Sequence, residues 1–263
     1  AIKTDWLSDP STVEEKKDTK KSTVDLFANE KFSYVCFLLK TIAELVGSYK
    51  QAKLEFLTFS KKTQEEVKPR ATALNFFIHQ LIPTHLLESS TGAEFERRCA
   101  ISSIAKMCLL SLVSSTISGD NDSSNAKKED ADLALIRRFV VDLMMKILKD
   151  VSQLNTLGSI KYGKLLDLFE LSGLLISTKF RDSVGPLLNK QATQYDQFHI
   201  SKIYIEKQVP NLLTNLIAEF DLNFPQIDKV VKAALKPMTF LGKNKVEYEE
   251  LFAGDANQGD HND

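Results

Sequence analysis

Residues 32 to 49 read FSYVCFLLKTIAELVGSY, and the apolar members Phe32, Val35, Cys36, Leu39, Ile42, Ala43, Val46 and Tyr49 recur at steps of three and four. That spacing lays one apolar stripe along an α-helix, because side chains three and four residues apart share a helical face. Gly47 and Ser48 mark an end or a bend, since glycine is about 1 kcal/mol less favourable than alanine inside a helix. The next segment, with Leu54, Phe56, Leu57 and Phe59, reads as a short helix or an extended arm.

The same rhythm continues along the chain. After a polar link from 60 to 70, Leu74, Phe77, Ile78 and Leu81 share a face of a helix that should stop before Pro83, because a proline disfavours the α conformation in the residue preceding it. A long amphipathic stretch runs from Phe95 to Ile117, and others carry Leu133 to Ile147 and Tyr162 to Leu174. Ile200, Ile203 and Tyr204 predict a shorter helix closed near Pro210. Leu212 to Phe220 form the next helix and Ile227 to Met238 the last, with Pro225 near its first turn. No run of alternating β-branched residues bounded by Asn-Gly or Asp-Gly turns occurs, so the chain reads as all-α. About eight or more helices joined by short polar links fit a compact bundle or an α-solenoid of armadillo or HEAT type, and the solenoid is the expected architecture.

The organisation that follows is a polar, partly irregular lead-in at 1–29, a first helical-repeat block at 30–117, a mobile polar loop at 118–131, a second helical-repeat block at 132–246 and an acidic disordered tail at 247–263. The lead-in is expected to dock through its few large apolar side chains, Trp6, Leu7, Val24, Leu26 and Phe27. The tail holds six acids in seventeen residues and no Lys or Arg, which suits solvation or the attraction of basic clients. That tail, and a start at Ala1 rather than Met, read as a piece of something longer.

Charge and composition narrow the functions. Lys plus Arg number 34 and Asp plus Glu 35, so the net charge of −1 supplies no basic surplus for a nucleic-acid face or an anionic membrane. Even the richest apolar stretch, Phe139 to Leu148, contains Asp142 and Lys146 and falls short of the roughly 20 apolar residues of a membrane span. The three cysteines, Cys36, Cys99 and Cys108, lie in apolar segments as reduced core thiols do, and the first 21 residues lack the apolar core of a secretory signal. The expected location is nucleus and cytoplasm.

Signatures of chemistry are weak. Gly158 to Lys164 match the G-x-x-x-x-G-K spacing of a phosphate loop, but Leu165 stands where a magnesium-binding Ser or Thr belongs. His79, His85, His199 and His261 fall in no zinc-binding spacing, and G-x-S-x-G is absent. His79, set in an apolar helix, reads as a partly buried packing residue. Lys16, Lys17, Lys20 and Lys21 are interleaved with Glu14, Glu15 and Asp18 and read as a solvated segment, and the sequon at Asn121 to Ser123 carries no weight in a reducing compartment. No catalytic, metal or cofactor residue is assigned.

Four segments carry a resemblance: AELVGSYKQAKLEFLTFSKK (43 to 62), LIRRFVVDLMMKIL (135 to 148), IKYGKLLDLFELSGLLIS (160 to 177) and EKQVPNLLTNLIAEFDLNFPQIDKVVKAALKPMTFLG (206 to 242). Together they resemble a helical-repeat part of the giant HECT-type E3 ubiquitin ligases, the family of the fungal trigger-of-mitosis ligase and its animal counterpart with HECT, UBA and WWE domains. The most specific portions are Ile217 to Pro225 and Lys236-Pro237-Met238, the latter standing where the family tends to Arg-Pro-Leu. In Ile217 to Pro225, Asp221 and Asn223 are suited to cap helix ends and Phe224 to act as a staple.

The resemblance implies a non-catalytic armadillo-like scaffold segment of an E3 ubiquitin-protein transferase, with the ubiquitin thioester formed on a cysteine of a HECT domain elsewhere. It implies as partners the remaining helical-repeat and HECT domains, protein substrates with basic ones among them, and a ubiquitin-charged E2 reached through the HECT domain. It leaves the substrate-binding surface unknown. The alternative is a stand-alone armadillo-like adaptor without enzymatic activity, and a small helical hydrolase is a third reading that the scattered histidines do not support.

The stretch from 118 to 130 has no large apolar side chain to bury. It is expected to be an early cleavage site in a limited protease digest, with the flanking helices remaining associated. Protection of this stretch while other sites are cut would contradict the reading.

Overall fold

The computed structural model of the chain describes residues 29–58, 72–88, 92–116, 130–177, 190–247 and 249. The expected lead-in, the link at 60–70, the loop at 118–129 and all of the acidic tail beyond its first residues lie outside the described residues. Among those described, the structure is all-α. It comprises α1 (Glu30–Ser48), α2 (Lys50–Thr58), α3 (Thr72–Phe76) continued by a π turn (Phe77–Leu81), α4 (Ala93–Val113), α5 (Ala131–Ser152), α6 (Gly158–Ile176), α7 (Lys190–Glu206), α8 (Val209–Ala218) and α9 (Ile227–Glu247).

Local chemistry sets the boundaries. The Asn29 side chain caps α1 by accepting a hydrogen bond from the Phe32 N–H at 3.0 Å. Asp130 does the same for α5 through the N–H groups of Asp132 and Leu133. On the inward stripe of α1, Phe32, Cys36, Leu39, Ala43 and Val46 are buried, but Tyr49 is 59 % exposed. Tyr49 follows the end of α1 in extended backbone, and its position lies on the side of Leu38 and Leu45, away from the buried stripe. The following segment is helical, as α2, and not an extended arm.

Before Pro83 the helix widens into the π turn, where the Ile82 N–H bonds the Phe77 carbonyl at 2.9 Å, and stops. Gln208, in the left-handed conformation, separates α7 from α8, and Pro210 lies in the first turn of α8 where its missing N–H is harmless. Helix α7 has 17 residues and is longer than its three apolar markers suggest. Pro225 lies in the turn two residues ahead of α9, not in that helix's first turn, while Pro237 sits buried inside α9.

Packing proceeds in blocks along the chain, heaviest between α1 and α4 and between α6 and α9, pairs with two helices between them in sequence, and lighter between chain neighbours. Helix α1 packs on α2 and α4, α4 on α5 and α6, α5 on α6, α7 and α8, and α6 and α7 on α9. This serial packing is that of an α-helical solenoid, in which each unit buries its apolar face on the next. A continuous apolar core runs from Phe32 in α1 to Leu241 in α9. Helix α6 is the most enclosed: Tyr162, Leu165, Leu166, Leu168, Phe169, Leu171, Leu175 and Ile176 are all buried, so it carries apolar side chains around its circumference.

The connector from α8 to α9 grips the start of α6. The Phe220 ring meets Tyr162 edge to face at 5.6 Å, and Phe224 lies 4.8 Å from the same ring. The Asp221 N–H donates to the Tyr162 hydroxyl at 2.7 Å, and the Asp221 carboxylate accepts from the Asn223 N–H at 3.0 Å. Gly158 makes room for this grip: a methyl group there would come within 3.1 Å of the Phe224 ring. Phe224 is thus a clasp on α6, and Asp221 caps the turn between the helices.

Two substitutions separate the contributions at this joint. Phe169→Ala, which empties a fully buried site, should cost about 3–5 kcal/mol, and Tyr162→Phe, which leaves the Asp221 N–H without its acceptor, about 1 kcal/mol. Urea unfolding of both variants measures this, and equal losses would contradict the assignment.

Candidate functional site

At two places among the described residues, buried charged side chains join helices far apart in sequence; Arg97, on α4, is buried as well. The first is the C-terminal end of α4, whose last carbonyls have no partner within the helix. The Ser114 N–H and hydroxyl return to the Leu110 carbonyl at 3.1 and 2.7 Å. Lys53, from α2, donates to the carbonyls of Ser111 and Leu112, the second at 3.2 Å. Arg137, from α5, donates through Nε to the Val113 carbonyl at 2.9 Å.

Asp196, from α7, completes this joint. Its carboxylate pairs with the Arg137 guanidinium and accepts from the Ser115 N–H at 3.0 Å and the Ser115 hydroxyl at 2.6 Å. Lys53, Arg137 and Asp196 are each only 1 or 2 % exposed. Two cations therefore face the negative end of the α4 dipole, and one anion balances them. Burial brings Lys53 down to about 7, with the Asp196 charge opposing that shift and the Arg137 charge adding to it.

The second joint is a cleft lined by Ile78, His79, Ile82, Pro83, Lys164 and Asp167, with room for about one water molecule. The Asp167 carboxylate accepts from the Thr84 N–H at 2.8 Å and the Thr84 hydroxyl at 3.0 Å, and Lys106 lies 3.7 Å away. Burial raises Asp167 above the usual carboxylate range, against the pull of Lys106. Partial desolvation at the cleft rim and the Lys164 charge push His79 down from the ordinary imidazole value. A general base needs a free lone pair aimed at a bound substrate. Here the carboxylate is committed to holding the Thr84 loop against α6, and the cleft is too small for a substrate.

The residues singled out from sequence are spread over the molecule. Gly158, Gly163 and Lys164 lie in the first two turns of α6, so the phosphate-loop spacing is helix and not loop. His79 lies in the π turn as expected of a helical residue, but its side chain is largely exposed on the rim of the cleft; His85 has a left-handed backbone and pairs with Glu88 at 2.5 Å; His199 is buried on α7. His261, Lys16 to Lys21 and Asn121 lie outside the described residues. Cys36 and Cys108 are buried, burial pushes Cys108 up to about 12, and Cys36 and Cys99 are raised by the same cause. Such thiols are not nucleophiles at neutral pH. Among the described residues no cluster of three or more His, Cys, Asp or Glu could hold a metal ion, and no helix is long and apolar enough to cross a membrane.

Sequence reasoning passed over Lys53, Arg137, Asp196 and Asp167. A signal existed: Arg137 continues the stripe of Leu133, Val140 and Met144, and Asp196 that of Ile200 and Ile203, so each charge falls where an apolar residue is due.

Comparison with known proteins adds what the geometry does not supply. Over 98% of its length the chain is 35% identical to the probable E3 ubiquitin-protein ligase TOM1 of Eremothecium gossypii. It is 27% identical over 96% of its length to the E3 ubiquitin-protein ligase TOM1 of Saccharomyces cerevisiae, and 31% identical over 84% to the E3 ubiquitin-protein ligase TOM1-like of Neurospora crassa. The chain spans about 8%, 8% and 6% of the lengths of these relatives. No family model matches the chain, and no solved structure matches it.

The joint at the end of α4 has a pH signature. Between about 7 and the ordinary lysine value near 10.5, the unfolded chain holds a proton on Lys53 that the native chain has released, so stability from this group rises with pH across that window. Lys53→Met should flatten that rise in a series of thermal melts from pH 7 to 10. An unchanged pH slope in the variant would contradict the assignment.

Proposed function

We propose, from the chain's kinship with one segment of the E3 ubiquitin-protein ligases named TOM1, that it is a non-catalytic armadillo-like scaffold within a HECT-type E3 ligase. The observation that carries this reading is the breadth of the match, 98% of the chain against 8% of the relative. The structure supports it through what its charged groups do. Lys53, Arg137, Asp196 and Asp167 are all engaged in joining helices, and the described thiols are raised by burial.

In this reading a cysteine of a HECT domain outside this chain takes ubiquitin from a charged E2 and passes it to a substrate lysine. The solenoid holds protein substrates near that cysteine, and its contribution is effective concentration and orientation. The partners are the other helical-repeat and HECT domains of the same polypeptide and protein substrates, basic ones among them. The protein acts in nucleus and cytoplasm.

The test is the parent ligase with the segment corresponding to residues 30–247 deleted, compared with the intact enzyme and with a variant of the HECT cysteine. Thioester formation from charged E2 should stay within about twofold of the intact enzyme, while ubiquitin-modified substrate peptides counted by mass spectrometry fall on the order of tenfold or more. Loss of thioester formation, or unchanged substrate modification, would contradict the scaffold role.

A further inference from the structure

Among the described helices, α9 is the one whose charges do not balance. It holds five lysines, Lys229, Lys232, Lys236, Lys243 and Lys245, against Asp228 and Glu247, whereas every other helix is balanced to within one charge. The chain as a whole carries −1, so the surplus is local. All five lysines are exposed.

Four of them fall in register. Lys229, Lys232, Lys236 and Lys243 follow one another at steps of three, four and seven, which places them on one side of the helix over about 21 Å. A second lane runs beside them: Leu235, Thr239, Gly242 and Val246 recur at steps of four, three and four, with Leu235 45 % and Val246 75 % exposed. The opposite side, with Val230, Ala233, Ala234, Pro237 and Leu241, is buried. It packs chiefly on α6, where Phe240 and the stem of Lys236 lie beside Gly173. The two outer lanes are therefore displayed on a fixed support.

On other helices exposed cations are matched by acids of the same fold: Lys50 by Asp130 and Asp132, Arg98 by Glu94, Arg138 by Glu206 and Lys207 by Asp142. On α9 that pattern fails. Lys232 reaches Asp228 at 3.5 Å, and Lys229 meets the neutral Gln226 side chain at 3.0 Å. Lys229, Lys236 and Lys243 pair with no carboxylate among the described residues. Like charges at such spacing repel one another, so the stripe costs stability unless an anion lies along it.

An acidic peptide fits both lanes. Acids at helical spacing match the lysines, and aliphatic side chains on the adjoining side match Leu235 and Val246. A nucleic acid fits less well, because arginine forks and stacked aromatic rings are its usual grip. Helix α9 contains no arginine, and its one aromatic ring, Phe240, lies against α6.

We infer that the outer face of α9 docks an acidic amphipathic segment of a separate protein, with Lys229, Lys232, Lys236 and Lys243 pairing its carboxylates and Leu235 and Val246 packing its aliphatic side chains. The inference goes beyond the scaffold reading and does not depend on it.

The probe is a fluorescein-labelled helical peptide with glutamates on one side and leucines on the adjoining side, titrated with the full chain and read by fluorescence anisotropy. Saturable binding is expected, weakening on the order of tenfold as ionic strength rises from about 0.01 to about 0.15 M, because exposed charge pairs are screened. Lys229→Glu with Lys236→Glu should weaken binding on the order of tenfold or more, and Leu235→Ser about threefold. Lys40→Glu, on the exposed side of α1, should leave it unchanged, with the same helix content by circular dichroism in every variant. Any of these results would overturn the inference: no saturable binding at low ionic strength, equal binding of the same peptide with glutamine in place of glutamate, affinity untouched by the charge reversal on α9, or tighter binding of a labelled oligouridylate that the same reversal abolishes.

Discussion

The carbonyl end of α4 is the point on which the described structure depends. A helix that ends inside a protein leaves carbonyls that water cannot reach, and each must find a donor. Here the donors are Lys53 from α2 and Arg137 from α5, and Asp196 from α7 balances their charge while binding Ser115 beyond the helix end. Four helices are thereby tied at one place by groups up to 143 positions apart, from Lys53 to Asp196. Replacing such a set by apolar residues can be as stable, but removing one member strands a buried charge at a cost of about 3–5 kcal/mol. Its value lies in geometry: only one arrangement of α2, α4, α5 and α7 satisfies every group.

Around that joint the remaining contacts are mostly apolar. Helix α6 lies inside the array, and further polar contacts pin helices along the second half. Asn244 on α9 donates to the Ile176 carbonyl and the Ser201 hydroxyl, both at 2.9 Å, and the Tyr204 hydroxyl donates to the Ser172 carbonyl at 2.9 Å. Interior polar groups are spent on fixing one helix against the next.

Much of the fold was legible because helical spacing is a local property. Phe32, Cys36, Leu39, Ala43 and Val46 announce α1 whatever they pack against, and Leu133, Ile136, Val140, Met144 and Ile147 announce α5. The π turn at Phe77–Leu81 and the passage of α9 through Pro237 were not legible, because tertiary packing decides both of them. The buried joints were hidden for a related reason. Arg137 and Asp196 fall on the apolar stripes of their helices, but that they pair with each other emerges only when helices 59 residues apart are placed side by side. The phosphate-like spacing at Gly158 to Lys164 lies within α6, so these residues form helix turns and not a loop.

The central claim is that this helical array works as part of a much larger ligase polypeptide. The most direct measurement is the mass of the native polypeptide that carries these residues, detected in its source with an antibody raised against this chain. A band of several hundred kilodaltons is the result the account predicts, whereas a band near 30 kDa would contradict it and leave a self-standing helical adaptor.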